Sequence, residues 1–325
     1  MNKKCILLII YFIFPLFTFC QKQIIGNENK IKCIETFIGH NAEVFSVSFS
    51  PDGSKIASTS DDESIKIWDI NTKKCIKNIP HAHHIASISA SFSPDGKKLV
   101  SCGSDGIKIW DVNSGSCIKY ISNTSSVTNV TYSPNGKKIL ACNEDDNFYN
   151  IYNAHTGETL NAYTVGHNTL YSISYSPDGT KKIALLNGTT INIFEVDKIG
   201  ILKTFEENDT ELISVSYSPD GTKILAPTKN GTIKILDANN GNCIITLYGH
   251  NSPVISASFS QDGSRIISTA INDRSIKIWN TNTGECLHTL YGHDEKIFSV
   301  KISPNGNYIV SSSKDGTIKL WGVIE

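Results

Sequence analysis

A four-residue turn returns seven times at nearly equal intervals. Ser-Pro-Asp-Gly or a close variant stands at Ser50–Gly53, Ser93–Gly96, Ser133–Gly136, Ser176–Gly179, Ser218–Gly221, Ser260–Gly263 and Ser303–Gly306, at spacings of 43, 40, 43, 42, 42 and 43 residues. A second landmark keeps step with it: Trp68, Trp110, Tyr152, Phe194, Leu236, Trp279 and Trp321, spaced by 42 or 43 residues and mostly followed by Asp, Asn or Glu. Two independent landmarks in phase describe one body grown by adding units, where 325 residues would otherwise suggest about two domains.

Each unit predicts four strands. A run such as Val44–Phe49 precedes the turn, Pro fixes φ and Asp-Gly reverses the chain. Lys55–Ser60, Ser64–Trp68 and Cys75–Ile79 then alternate with polar turns, which leaves no room for a helix. One small twisted sheet cannot bury both of its faces. Seven stacked radially can, so the expected fold is all-β: a seven-bladed propeller of four-stranded antiparallel blades over residues 31–325. The chain ends just after a third strand, whereas Lys32–Phe37 resembles the fourth strands. Pairing of this N-terminal strand with the C-terminal blade is expected to close the ring and to cover an open edge.

Residues 1–20 differ. A basic Met1–Lys4 precedes the uncharged run Cys5–Cys20, and polar residues follow. This is the layout of a signal peptide, with Thr18 and Cys20 at −3 and −1 of a cut before Gln21. Sixteen residues interrupted by Pro15 are short for a membrane span. The expectation is a signal peptide or hydrophobic anchor at 1–20, a linker at 21–30, and a secreted or periplasmic product. The alternatives are a membrane-anchored protein, or a cytoplasmic one if the segment is not a working signal. Membrane contact is expected only if residues 5–20 are retained. The net charge of −1 gives no basic excess for nucleic acid. Cys33, Cys75, Cys117, Cys243 and Cys286 occupy one position in different units, too far apart for disulfides, and are expected as unpaired thiols.

Gly39-His40, Gly249-His250 and Gly292-His293, each followed about 28 residues later by Trp-Asp or a near relative, resemble the WD40 repeat. The resemblance covers residues 31–325 and implies a network joining a His, a Ser, an Asp and the landmark Trp in one blade. The matching sets are His40, Ser58, Asp62 and Trp68; His83, Ser101, Asp105 and Trp110; His250, Ser268, Asp273 and Trp279; and His293, Ser311, Asp315 and Trp321. A Ser-His-Asp trio invites a catalytic reading, but one that recurs in four units belongs to the fold. Units 3, 4 and 5 depart from the pattern, with Asn123, Cys142, Asp146 and Tyr152; His167, Ala184, Gly188 and Phe194; and Asn208, Ala226, Asn230 and Leu236.

Chemistry has few other places to reside. The cluster His81, His83 and His84 lacks further ligands at metal spacing, and Glu144-Asp145-Asp146 sits in a strand-joining turn without a calcium-loop pattern. No phosphate-cradling loop or nucleophile elbow occurs. No catalytic residue, metal or cofactor is expected. The second residues of the innermost strands, Phe45, Ile88, Thr128, Tyr171, Ile213, Ile255 and Phe298, are apolar in six of seven cases. By strand alternation Phe45 aligns with Val47 and Phe49, and the set would form an apolar collar at the channel mouth with Glu43, His84, Pro253 and Lys296 as a rim. Packing between blades is the competing role. The resemblance implies a monomeric, non-catalytic scaffold that binds proteins or peptides. The alternative is an exported propeller that binds or hydrolyses a small molecule or glycan in its channel.

Overall fold

The computed structural model describes residues 31–122, 127–143, 148–198 and 200–323. The apolar head, the linker, Asn123 and Glu144–Asp146 fall outside them. The described residues form seven four-stranded antiparallel sheets and no helix. Blade 1 runs Val44–Phe49, Lys55–Ser60, Ile65–Asp69 and Lys74–Ile79, from the channel outward. Blades 2 to 6 repeat this order in sequence.

Blade 7 is assembled from both ends of the chain. Ile297–Ile302, Ile309–Ser313 and Ile318–Val323 supply three strands, and Ile31–Phe37 adds the fourth. Ile31 pairs with Val323, Cys33 with Trp321 and Phe37 with Ile318, around a bulge between Cys33 and Glu35. Gly322 stands where other blades carry Asp, Asn or Glu after the landmark. A Cβ there would lie 3.0 Å from Ile34 Cδ1 and 3.4 Å from the Tyr308 ring, so the closing strand presses on bare backbone.

The repeated turn is built by its own side chains. The Ser50 hydroxyl donates to Asp52 Oδ1 (2.5 Å) and accepts from the Lys55 N–H (2.9 Å), and Asp52 also accepts from the Ser54 N–H. Glycine closes it at φ 69° in blade 1, a region that L residues avoid. The turns also touch one another: a Cβ on Gly96 would meet Pro51 at 3.5 Å, one on Gly136 would meet Pro94 at 3.3 Å, and one on Gly53 would meet Pro304 at 3.7 Å. Proline and glycine of successive turns thus abut around the base of the ring.

No blade has an apolar core to itself. Seven clusters of buried residues occur among the described residues, and each is shared by two successive blades. At the blade 1–2 seam, Ala57, Ile65, Ile67 and Ile79 pack on Ala90, Phe92, Leu99 and Trp110. At the closing seam, Phe37, Val310, Ile318 and Leu320 pack on Val44, Val47, Ile56 and Trp68. The landmark residue of every blade enters the seam with the blade before it.

One seam contains an ammonium group. Ile56, Leu99, Ile139, Ile224, Ile266 and Ile309 occupy one position in six second strands, each paired with its landmark residue. In blade 4 that position is Lys182, paired with Phe194 and fully buried. Its Nζ has no hydrogen-bond partner and lies 3.9, 4.9 and 5.7 Å from the ring centroids of Tyr163, Tyr149 and Phe194. The rings return part of the lost hydration through cation–π attraction. Burial nevertheless pushes the amine down to about 8 from 10.5, against the opposing charge of Asp197. Between those two values the unfolded chain holds a proton that the folded chain has released, so stability rises with pH across that window, by on the order of 3 kcal/mol. Lys182→Leu is expected to raise the denaturation midpoint at pH 7 and to remove that rise. Denaturant titrations of wild type and variant from pH 7 to 10.5 check it, and parallel pH profiles would contradict it.

Candidate docking face and central channel

The four expected networks are assembled in full. The Trp68 Nε1–H donates to Ser58 Oγ (2.9 Å), Ser58 Oγ lies 2.7 Å from His40 Nε2, and His40 Nδ1 lies 2.9 Å from Asp62 Oδ2. With the indole donating to Ser58, the serine proton goes to Nε2, and a neutral His40 then gives its Nδ1–H to Asp62. Burial lowers the pKa of His40 and of His83, which favours this neutral form. Burial opposes charge on Asp62, but bonds from the Ser64 hydroxyl, the Asn41 N–H and His40 outweigh it and hold the carboxyl below its usual range. In blade 2, Trp110 and His83 reach Ser101 at 2.7 Å each, and His83 Nδ1 lies 2.5 Å from Asp105. His250 meets Ser268 (2.7 Å) and Asp273, and Trp279 donates to Ser268 (2.8 Å). His293 meets Ser311 and Asp315, both at 2.8 Å, and Trp321 donates to Ser311 (2.9 Å).

Where the pattern departs, it departs in a coordinated way. Blades 4 and 5 replace the serine by the buried Ala184 and Ala226, and the tryptophan by Phe194 and Leu236. Donor and acceptor vanish together, which avoids the cost of a buried orphan. His81 lies 2.9 Å from Glu63 and His83 belongs to its network. Among the described residues no group of three or more His, Cys, Asp or Glu side chains converges as a metal site would.

All seven collar residues are half-buried, at or just before the innermost strands, and in blades 1, 2, 6 and 7 the preceding loop carries the network histidine. The Phe45 and Phe298 rings lie 5.6 Å apart, at 59°. Ile88 and Tyr171 also pack against the apolar seams of their blades, so the collar and the core share those side chains. Simple alternation does not describe this edge. The ladder slips between Val44 and Ser46, and likewise at Ser87/Ser89, Leu170/Ser172, Val254/Ser256 and Ile297/Ser299. Phe45, Ile88, Tyr171, Ile255 and Phe298 are the residues left over by these bulges. A bulge bends its strand and re-aims a side chain, so Val44 and Val47 both enter the core while Phe45 stays outside it.

Below the collar the strands resume alternation, and the channel wall is hydroxylic. Five inner strands (blades 1, 2, 4, 5 and 6) read apolar-Ser-apolar-Ser, as in Tyr171-Ser172-Ile173-Ser174. Ser172, Ser174, Ser214, Ser216 and Ser256 line a cavity of about 700 Å³ in the ring's interior, with Thr131 and Asn129 from blade 3. Some hydroxyls stitch blades together: the Val215 N–H donates to Ser172 Oγ (2.9 Å), and the Val300 N–H to Ser256 Oγ (3.3 Å). This pattern was present in the sequence and was not among the residues picked out there; the five repeated serine pairs would have revealed it.

The profile of the family described as "WD domain, G-beta repeat" matches residues 31–69, 73–111, 115–153, 200–237, 241–280 and 284–322, well over half of the chain. The chain belongs to the WD40 repeat family. The stretch without a match contains most of blade 4, the blade with Lys182, Ala184 and Phe194. Similar proteins include the cell division cycle protein cdt2 of Schizosaccharomyces pombe, 30% identical over 95 residues, which are 27% of this chain and 19% of that protein. Nuclear distribution protein PAC1 of Gibberella zeae is 41% identical over 59 residues, 17% of this chain and 13% of that one. WD repeat-containing protein 18 of Rattus norvegicus is 41% identical over 46 residues, 14% and 11% respectively. The matched stretches thus span less than a fifth of each of these relatives.

The WD40 network supports a stability test. Ser58→Ala would leave the Trp68 Nε1–H and His40 Nε2 unpaired in a buried site, at an expected cost of about 1–3 kcal/mol. The same residue is natural in blades 4 and 5, where its partners have changed too. Urea denaturation measures the loss, and a cost near zero would mean that the network adds nothing to stability.

Proposed function

We propose that this WD40 propeller is a non-catalytic platform that docks proteins or peptides on the face bearing the collar. The observation that carries this reading is the ring of Phe45, Ile88, Tyr171, Ile213, Ile255 and Phe298, each held half out of the core, five of them by a bulge. Bulges spent on displaying large apolar side chains beside a channel mouth suit a surface waiting for a partner. The names of the similar proteins, a cell division cycle protein and a nuclear distribution protein among them, accord with a role in larger assemblies.

Hydrolysis of a glycan in the channel has less support. It calls for a pair of facing carboxylates, and the described lining of the cavity contains none. Export is proposed from the basic head and apolar run of residues 1–20. N-terminal sequencing of protein recovered from each cell fraction tests it: a mature start at Gln21 outside the cytoplasm supports export, and an intact Met1 in the cytoplasm refutes it.

The collar is tested by Phe45→Ser with Phe298→Ser. Immobilised wild type and double variant are compared for the proteins they retain, alongside their thermal melts. The expected outcome is loss of specific partners by a variant that still melts cooperatively as a propeller. Unchanged partners would move docking to another face, and an unfolded variant would assign both rings to packing.

A further inference from the structure

Repetition makes the channel legible by its exceptions. At the second channel-facing position of the inner strands, six blades carry Ser48, Ser91, Thr131, Ser174, Ser216 and Ser258. Blade 7 carries Lys301. At the second position of the turn, six blades carry proline and blade 6 carries Gln261. These two departures fall in adjacent blades and line the same cavity of about 700 Å³.

Lys301 differs from the lysines of the third strands and from Lys182 in that its side chain has no partner. The lysines of the third strands are all supplied: Lys66 donates to Asn78, Lys108 to Asp105, Lys234 to Glu207 and Asp209, Lys277 to Thr289, and Lys319 to Thr36. Lys182 is covered by three aromatic rings. Lys301 lines the channel cavity half-buried, and the protein around it lowers its pKa. Among the described residues its side chain makes no hydrogen bond, ion pair or ring contact, and it is the one charged side chain that lines the cavity. A half-buried ammonium in a channel whose described lining offers no counter-charge is only partly compensated. The hydroxyls and the carboxamide that line the same cavity can donate hydrogen bonds. A negatively charged guest would satisfy both features at once.

We propose that Lys301 and Gln261 form a site for a small oxyanion, a carboxylate or a phosphate, inside the central channel at the seam of blades 6 and 7. The ammonium supplies the charge, the Gln261 carboxamide a directed donor, and the serine wall further donors. The site lies below the collar, so it operates whether or not the collar docks a protein.

The repeat itself supplies substitutions that the fold tolerates. Lys301→Ser and Gln261→Pro each restore the residue that most blades carry. Isothermal titration of the intact chain with inorganic phosphate, and separately with acetate, at fixed ionic strength reads the site and distinguishes the two anion types. The wild type is expected to bind at least one of them, with Lys301→Ser about tenfold weaker or worse. Gln261→Pro is expected to weaken binding less, and Lys74→Met, on an exposed outer strand, not at all. Melting temperature provides a second readout: the anion should raise it in the wild type and not in Lys301→Ser. Absence of binding by the wild type to either anion, or equal binding by wild type and Lys301→Ser, would overturn the proposal.

Discussion

Burial between blades is the constraint from which the rest of this structure follows. Each sheet has two apolar faces and no core of its own, and every cluster of buried residues is divided between two neighbours. Apolar burial is worth about 1.5–3 kcal/mol for a fully enclosed Ile, Leu or Phe, and here it is gained only when the next blade is present. A row of such sheets would leave two seams open at its ends. Closing the row into a circle removes both, and the strand Ile31–Phe37, which precedes blade 1 in the chain, fixes the circle by completing blade 7. The Trp, Tyr, Phe and Leu landmarks recur because each is the bulk that fills a seam.

The hydrogen-bonded networks are a second layer on that frame. Four blades carry a complete set from tryptophan through serine and histidine to aspartate. Blades 4 and 5 dispense with serine and tryptophan together; their alanines and Leu236 remain buried, and Phe194 packs half-buried in its seam. The seams therefore tolerate loss of the network when polar groups leave in pairs. Lys182 is the opposite case: a polar group introduced singly into a seam, with three rings around it and no hydrogen bond. Blade 4 accordingly combines a missing network, a buried amine and the one long stretch that the family profile passes over.

Much of this was legible in the sequence because the repeat states it seven times. The turn tetrapeptide fixed blade number, the landmark residues fixed phase, and the likeness of Lys32–Phe37 to other fourth strands fixed closure. The collar residues were found from position within the strand, but their display was misread. Alternation put Phe45 in line with Val47, whereas the bulge after Val44 sends Val44 and Val47 into the core and leaves Phe45 outside. A bulge depends on how one strand registers against the next, which a single strand's pattern does not contain. The setting of Lys182 was illegible for a related reason: Tyr149 and Tyr163 belong to the preceding blade and meet it only across the seam. The serine wall is written in five inner strands as repeated serine pairs, interleaved with the apolar residues that enter the seams.

A fold of near-identical units gives its stability to what repeats and leaves specificity to what does not. The Ser-His-Asp trio looks like a catalytic triad when taken alone and becomes structural once it is seen in blades 6, 7, 1 and 2. Lys301 looks like one lysine among many until it is placed in register with six small hydroxyl residues. A proline lost at Gln261 costs one blade-to-blade contact in a base where successive Pro and Gly otherwise abut. The other blades fold with a small hydroxyl residue and a proline at these positions, so the fold itself requires neither exchange. That both exchanges open into one cavity, in neighbouring blades, is the kind of symmetry breaking a ligand explains and a scaffold alone does not.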